Sequence, residues 1–171
     1  MIRGRAEALP FGDASIDVVF STLAFHHYDD KPRALAEITR VLQPGGYLKI
    51  TNMDPWSVRA WWLYRFFPSA QVIDQQRFWP ADKLVAALEA RGLRVDARIE
   101  HNPRQQIAKD LLSRAEMRVT SQLAVIDEEL YQEGLARVRA LVATDPDAVL
   151  HDEVGWLHLV ALAPPSVRGG P

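Results

Sequence analysis

Two adjacent histidines, His26 and His27, are the residues of this 171-residue chain whose types best suit acid–base chemistry. Histidine titrates near neutral pH, so either ring could remove a proton from a substrate hydroxyl. Both come shortly after the apolar run IDVVFST, at residues 16–22. We therefore expect them on a loop at the carboxyl end of a strand, facing a substrate. Packing, or capping of the next helix, is the alternative role for each ring.

The histidine pair does not predict a metal site. Neighbouring side chains are expected to point apart, and no further ligand follows at a fixed spacing. Cysteine is absent, which excludes disulfides and thiolate chemistry. We therefore predict no metal centre.

The elements around the histidines predict an α/β fold. The β-branched run 16–22 is apolar on both faces, as in a strand buried in a parallel sheet. Apolar residues then recur at helical spacing from Pro32 to Leu42, and Pro44 and Gly45 should end that helix. The strand GYLKIT, at residues 46–51, follows directly. Strand, helix and strand joined by short links predict a right-handed crossover.

The remaining sequence predicts further α/β elements interrupted by helical insertions. A helix from Pro80 to Arg91 should end at Gly92, and the runs 93–101 and 153–164 read as strands. We predict a single domain over residues 1–164, with helical insertions at about 54–79 and 103–146, and a flexible tail at 165–171.

Four of the five tryptophans fall in one short segment, which ends at Trp79. These rings would pack the inserted helices onto the sheet or form a subunit contact. Alternatively, some form a lid over an apolar or aromatic substrate. Packing is the expected role for most of them. The four are Trp56, Trp61, Trp62 and Trp79.

Composition and net charge limit the classes of binding partner that we expect. The chain is 48% hydrophobic and 25% charged, with a formal net charge of −2. Nucleic-acid and anionic-membrane binders normally carry a basic excess, so we expect neither partner. No signal-peptide core or run of membrane-spanning length occurs, so we expect a cytoplasmic location.

Three stretches carry a resemblance to a known family: AEALPFGDASIDVV at 6–19, FHHYDDKPRALAEITRVLQPGGYLKIT at 25–51 and FWPADKLVAALEARGLRV at 78–95. They resemble the class I S-adenosylmethionine-dependent methyltransferases, in particular the ubiquinone/menaquinone-biosynthesis-like group that acts on small molecules. The resemblance is good over the first third of the chain and architectural beyond it. It implies a partial Rossmann-like, mostly parallel sheet from the family's strand 4 onward, with helical cap insertions.

The resemblance also implies S-adenosylmethionine as cofactor and supplies candidate binding residues. The family usually has an aspartate at the position of Arg5, and a guanidinium can only donate hydrogen bonds. A backbone amide at Ala6 could still contact adenine. The implied cofactor-binding residues are Arg5, Ala6 and Glu7 at adenine, Leu9 against the ring, and Ser21, Thr22 and Leu23 at the methionine part.

The family's glycine-rich turn after strand 1, and its acidic residue at the end of strand 2, have no counterpart here. The resemblance therefore implies a chain that lacks the family's amino-terminal half. The leading interpretation is methyl transfer to a small, apolar or aromatic molecule. The alternative is a truncated, non-catalytic α/β module that self-associates, or binds a partner subunit, through the open edge of residues 17–22. A nicotinamide-dependent dehydrogenase would also need a glycine-rich turn, so the sequence favours that class no more than it favours methyl transfer.

Overall fold

The computed structural model describes residues 2–166, so most of the predicted tail at 165–171 lies outside the described residues. Strands and helices alternate along the first part of the chain, and helices dominate the second. The elements are β1 (Ile16–Thr22), a 3-10 helix (Phe25–His27), α1 (Lys31–Val41), β2 (Leu42–Met53), α2 (Trp62–Phe66), α3 (Pro68–Arg77), α4 (Ala81–Glu89), β3 (Arg94–Ile107), α5 (Ala108–Glu116), α6 (Ser121–Val125), α7 (Glu128–Thr144) and β4 (Val149–Leu162).

The described chain divides into two compact units. The first comprises residues 2–53, Trp79–Glu100 and residues 156–166, and the second comprises Asp54–Phe78 and His101–Gly155. The segments predicted as insertions contribute most of the second unit. The single-domain boundary itself stays a prediction. None of the helices within residues 2–166 combines the length and the apolar character that a membrane span requires.

The sheet is mixed, which corrects the expectation of a mostly parallel one. Its strand order is β1-β2-β4-β3. Strand β1 pairs with β2 in parallel, and β2 pairs with β4 antiparallel over Tyr47 to Met53. Alternation of apolar residues gives the faces of a strand but not its neighbour or its direction, which long-range pairing decides. The α/β class is confirmed.

Helix α1 forms where the sequence predicts it, but the strand after it begins earlier. The Asp30 side chain caps the helix by accepting a hydrogen bond from the amide of Arg33 at 2.9 Å. Strand β2 begins at Leu42, immediately after the helix, rather than at Gly46. A Cβ at Gly46 would lie 2.8 Å from the carbonyl oxygen of Asp17, so glycine lets β2 approach β1 there.

An apolar core holds the first unit together. Its fully buried members come from α1, β2, α4 and β4, and Phe25 of the 3-10 helix packs edge-on against Trp79 at 5.8 Å. Helix α4 lies within the predicted segment, and Gly92 follows it with a φ of +82°. The leucine and isoleucine side chains of this core without measurable exposure are Leu35, Leu48, Ile50, Leu88 and Leu159.

The second unit mixes aromatic packing with buried polar contacts. Trp62 is 1% exposed, which agrees with the packing role expected of most tryptophans, whereas Trp56 is 43% exposed. Phe67 stacks on Tyr131 at 6.0 Å and fills the space beside Gly134, where a Cβ would come within 2.2 Å of the Phe67 ring. Glycine at this point of α7 therefore permits close packing against the aromatic ring.

Candidate functional site

The carboxyl ends of β1 and β2 lie at one edge because the two strands are parallel. Just beyond β1, the amide of Leu23 donates to the carbonyl oxygen of Thr51 at 2.9 Å. Leu23 has a φ of +49°, and its side chain is 46% exposed. A leucine in the left-handed region is strained, and such strain concentrates at functional positions. This edge is also where α/β proteins generally bind ligands.

His26 is held in place at this edge by Asn52. The imidazole is 6% exposed, and its Nδ1 lies 3.2 Å from Oδ1 of Asn52. The same Oδ1 accepts the amide of Met53 at 3.2 Å, so it acts as an acceptor. His26 Nδ1 is then the donor, and in the neutral ring Nε2 carries the lone pair. The sequence did not lead us to Asn52 as a site residue, although a polar residue at the end of a buried strand can indicate a functional position.

The second histidine lies against the first. His27 is exposed, and its ring centroid is 3.9 Å from that of His26, at an interplanar angle of 43°. The expectation that adjacent rings point apart is wrong, because both residues lie in a tight 3-10 turn rather than in extended chain. Among residues 2–166, no group of three or more histidine, aspartate or glutamate side chains forms a metal-binding cluster.

The predicted methionine-lining residues split into one buried and two exposed positions. Ser21 is 2% exposed, and its hydroxyl lies 3.2 Å from the hydroxyl of Tyr28. Thr22 and Leu23 are exposed. Ser21 therefore anchors the loop after the 3-10 helix, while the next two residues present their side chains at the edge.

The predicted adenine residues form a turn that is tied to the same loop. The amide of Ala8 donates to the carbonyl oxygen of Arg5 at 3.1 Å, closing the turn. Arg5 pairs with Asp29 at 2.6 Å, and this hydrogen bond is the main cause of its raised pKa. The Glu7 carboxylate lies 3.4 Å from Arg5 and accepts the amide of Asp29 at 3.1 Å. Backbone hydrogen bonds lower the pKa of Glu7, so it stays ionised there.

Leu9 is positioned through a carboxylate of α1. Its amide donates to Oε2 of Glu37 at 2.8 Å, and its side chain packs on the core of the first unit. Arg40 donates to both oxygens of Glu37 at 2.8 Å. These bonds, with that of Arg40 the largest contributor, lower the pKa of Glu37 to about 2. The structure thus brings the turn, the loop and the strand end into one connected set of contacts within the first unit.

Comparison with known proteins adds an independent observation on the same segment. Residues 1–50 match the family described as a methyltransferase domain. A phthiotriol/phenolphthiotriol dimycocerosates methyltransferase of Mycobacterium ulcerans is 51% identical over 61 residues, which span 36% of this chain and 22% of that relative. The matched part is therefore a small share of the relative's length. These matches show that the start of the chain resembles part of a methyltransferase domain.

Solved structures extend the likeness to the rest of the chain, at the level of fold. A protein of Anabaena variabilis, described as a methyltransferase from an antibiotic biosynthesis pathway, superimposes with a TM-score of 0.71 at 24% identity, over 93% of this chain and 71% of its own. A Bacillus halodurans protein gives 0.61 at 18% identity, over 96% and 77%. The fold is thus shared with such proteins well beyond residue 50.

Proposed function

We propose that the chain takes part in methyl transfer from S-adenosylmethionine to a small molecule, at the carboxyl edge of β1 and β2. The observation that carries the proposal is where the matched segment lies. Residues 1–50, which match a methyltransferase domain, contain β1 and most of β2. These two parallel strands end where the amide of Leu23 donates to Thr51 and His26 contacts Asn52, and Thr51 and Asn52 lie just past the matched residues. The same proposal places the chain in the ubiquinone/menaquinone-biosynthesis-like group.

The residues at this edge fit one side of the cofactor. Thr22 and Leu23 would line its methionine part because they are exposed at the strand end, and Leu9 offers an apolar surface for the ring. A backbone amide at Ala6 would serve adenine. The side chains of Arg5 and Glu7 both bond to Asp29 in the loop after the 3-10 helix. We therefore propose that, besides contacting adenine, they hold this loop in position. When bound, the cofactor supplies an electrophilic methyl group on a sulfonium.

His26 is the proposed general base. With Nδ1 donating to Asn52, its Nε2 is the nitrogen able to accept the proton that a hydroxyl or amine loses as it is methylated. Asn52 is a positioning residue that fixes the tautomer. The proposed substrate is a small apolar or aromatic molecule with such a group. His27 is exposed, whereas His26 is buried beside Asn52.

The test follows release of S-adenosylhomocysteine from S-adenosylmethionine while the full chain is offered phenols, amines and active-methylene compounds. His26→Ala should lower kcat by about 10²-fold or more, as for loss of a general base, whereas His27→Ala should leave kcat within about threefold. Asn52→Leu should shift the pH profile of kcat, since it removes the tautomer constraint. Equal losses in both histidine variants would contradict the assignment.

A second pair of variants tests the strand end without a substrate. Leu23→Gly keeps the left-handed backbone but removes the exposed side chain, and Ala14→Gly is its matched control, with a φ of +49° at a position outside the site. We expect Leu23→Gly to weaken cofactor binding about fivefold, because apolar contact area is lost, and Ala14→Gly to leave it unchanged. Identical affinities would remove Leu23 from the site.

The edge of β1 favours a second candidate function, self-association. Within the described sheet β1 pairs only with β2, and Phe20 on it is 64% exposed. Long apolar edge strands invite pairing with another chain. We propose a second copy as the partner. Phe20→Lys should lower the dimer fraction in sedimentation velocity, and Val72→Lys, at a 55% exposed position of α3, should not. A monomer at all concentrations would contradict this candidate.

A further inference from the structure

Strand β3 lies at one end of the sheet, and its outer edge is open in the described chain. The strand order places β4 on one side of it and no described strand on the other. Residues 96–100 are exposed on both faces of the strand, and Ile99 is 41% exposed. The segment 94–100 contains no proline, which would interrupt backbone pairing. An edge of this kind presents N–H and C=O groups that can pair with another chain.

Charged residues alternate in sign along one face of this segment. Side chains at even positions share a face, because successive residues of a strand point to opposite sides. The four residues are Arg94, Asp96, Arg98 and Glu100, and all four are exposed. The ion pairs of Glu100 within the described chain are long, at 3.7 Å to Arg98 and 3.9 Å to His158. These side chains can therefore meet charges on a second strand.

This order of charges is complementary to itself when two copies of the strand pair antiparallel. A two-fold axis at Ala97 sets Arg94 opposite Glu100 and Asp96 opposite Arg98. Every cross-strand pair on this face then joins opposite charges, which stabilises a sheet. The residue on the axis meets its own copy, and alanine is uncharged, so it does not repel itself.

The other face and the neighbouring registers favour the same pairing. With the axis at the same place, Val95 lies opposite Ile99, and cross-strand pairs of such apolar residues add to stability. Sliding one strand by two residues sets Asp96 against its own copy in one direction and against Glu100 in the other. Like charges then face each other, which is destabilising. The charge pattern therefore specifies one register.

We propose that β3 pairs antiparallel with β3 of a second copy of this chain, with Ala97 at the two-fold axis. Each copy presents the same edge, so this pairing closes as a dimer. It is separate from the pairing proposed for β1, because β1 and β3 lie at opposite ends of the strand order. One strand pair buries little area, so the dimer is reversible and the chain is a monomer below the dissociation constant. Substitutions on β3 then change association rather than the stability of the monomer.

Disulfide cross-linking of the full chain tests the register. The chain contains no cysteine, so Ala97→Cys introduces its only thiol. On the two-fold axis, the two thiols of a dimer lie within the reach of a disulfide. Mild oxidation should link Ala97→Cys at least tenfold faster than Ile107→Cys, a 39% exposed position ten residues further along β3. Adding Phe20→Lys should leave the rate for Ala97→Cys unchanged. Equal rates for the two cysteine variants would overturn the proposal.

Charge reversal tests the complementarity, with the dimer Kd measured by sedimentation equilibrium. Arg98→Glu faces Asp96 of the second copy twice in each dimer, so it should raise Kd about tenfold. Asp96→Arg should do the same. The double variant Asp96→Arg/Arg98→Glu swaps the charges and restores every opposite pair, so its Kd should return to within about threefold of the wild type. Arg139→Glu is the control: it makes an equal change of charge at an exposed position of α7 and should leave Kd unchanged.

Three outcomes would overturn the proposal. A wild-type chain that stays monomeric at its highest soluble concentration is the first. A double variant that dimerises as weakly as the single variants is the second, because the charges would then not pair across the axis. The third is a dimer lost in Phe20→Lys but unchanged in Arg98→Glu, which would assign the contact to β1. Circular dichroism checks the fold of each variant. These measurements use neither cofactor nor substrate, so they are independent of methyl transfer.

Discussion

Each unit contains a carboxyl group with a shifted pKa, and the two shifts run in opposite directions. In the first unit, Glu37 accepts hydrogen bonds from a guanidinium and a backbone amide, which lower its pKa to about 2. In the second unit, Asp74 has no measurable exposure, and burial raises its pKa although Tyr64 and Gln122 donate to it at 2.8 and 2.7 Å. Hydrogen bonds from a guanidinium and an amide favour the ionised form of Glu37 at a partly exposed site, whereas for Asp74 the cost of burial outweighs two hydrogen bonds and the charge of Arg77.

The same contrast extends to the interiors. The core cluster of the first unit is apolar, and its buried polar residues, Ser21, His26 and Asn52, carry no carboxylate and lie near the strand ends. The second unit places Asp74, Gln122 and Asp152 among its buried residues. Asp152 accepts the amide of Trp62 at 2.8 Å. Buried polar groups must be satisfied, so we expect the second unit to be more sensitive to the loss of one hydrogen-bonding group than the first.

The largest expected effect follows from removing the buried carboxylate. Asp74→Ala leaves the hydroxyl of Tyr64 and the amide of Gln122 without their acceptor and opens a small cavity. It should lower the free energy of unfolding by about 2–3 kcal/mol. Urea denaturation measures the loss, and hydrogen exchange should show it first in 54–78 and 101–155. The control, Asp96→Ala on an exposed part of β3, should change it by less than about 0.5 kcal/mol. Equal losses of unfolding free energy in Asp74→Ala and Asp96→Ala would contradict the greater sensitivity expected of the second unit.

A smaller effect is expected from a methyl group added to α7. Gly134→Ala puts a Cβ into the Phe67 ring, so overpacking should cost about 1–2 kcal/mol despite the better helix propensity of alanine. Gly12→Ala in the first unit is the control, because a Cβ there meets no atom within 4 Å. Thermal unfolding of the two variants provides the comparison. A melting temperature for Gly134→Ala at or above that of the wild type would show that Phe67 moves aside freely.

The two carboxylates predict opposite pH dependence of stability. The folded pKa of Glu37 lies below its ordinary 4.5, so its contribution is present above pH 4.5 and lost as the pH falls toward about 2. The folded pKa of Asp74 is raised above 3.8, so stability falls as the pH rises from 3.8 through the raised value. Glu37→Gln should reduce the loss of stability as the pH falls from 4.5 toward about 2. Asp74→Asn should reduce the loss of stability as the pH rises above 3.8. Urea midpoints between pH 2.5 and 8 test this; parallel curves for both variants would contradict it.

The smallest effect concerns the surface of the second unit. Arg139 and Glu116 pair at 2.8 Å with side chains 56% and 44% exposed. A double-mutant cycle with alanine should give a coupling below about 0.5 kcal/mol, because water screens exposed pairs. A coupling as large as the loss in Asp74→Ala would mean that charged surface contacts, rather than buried ones, stabilise this unit.

Individual strands and helices were predictable from the sequence because the signals that define them lie within a few neighbouring residues. Strand β1, helix α1 and helix α4 carry their own periodicity and end signals. The antiparallel place of β4 beside β2 was not predictable, since it depends on pairing between residues about a hundred positions apart. The early start of β2 was missed for the same reason: close approach to β1 at Gly46 is a tertiary feature.

The candidate site was predictable in its strand-end position and less so in its partners. The placement of His26 and Leu23 after β1 follows from the sequence. Asn52 and Glu37 reach their partners across 26 and 28 residues, respectively, and no local pattern marks such contacts.

The most direct test of the central claim is calorimetric titration of the full chain with S-adenosylhomocysteine, with S-adenosylmethionine as the second ligand. Methyl transfer at the edge of β1 and β2 predicts saturable binding of both at one site per chain, weakened by Leu23→Gly and unaffected by Ala14→Gly. No detectable heat at millimolar ligand, from a chain that is folded by circular dichroism, would contradict the account.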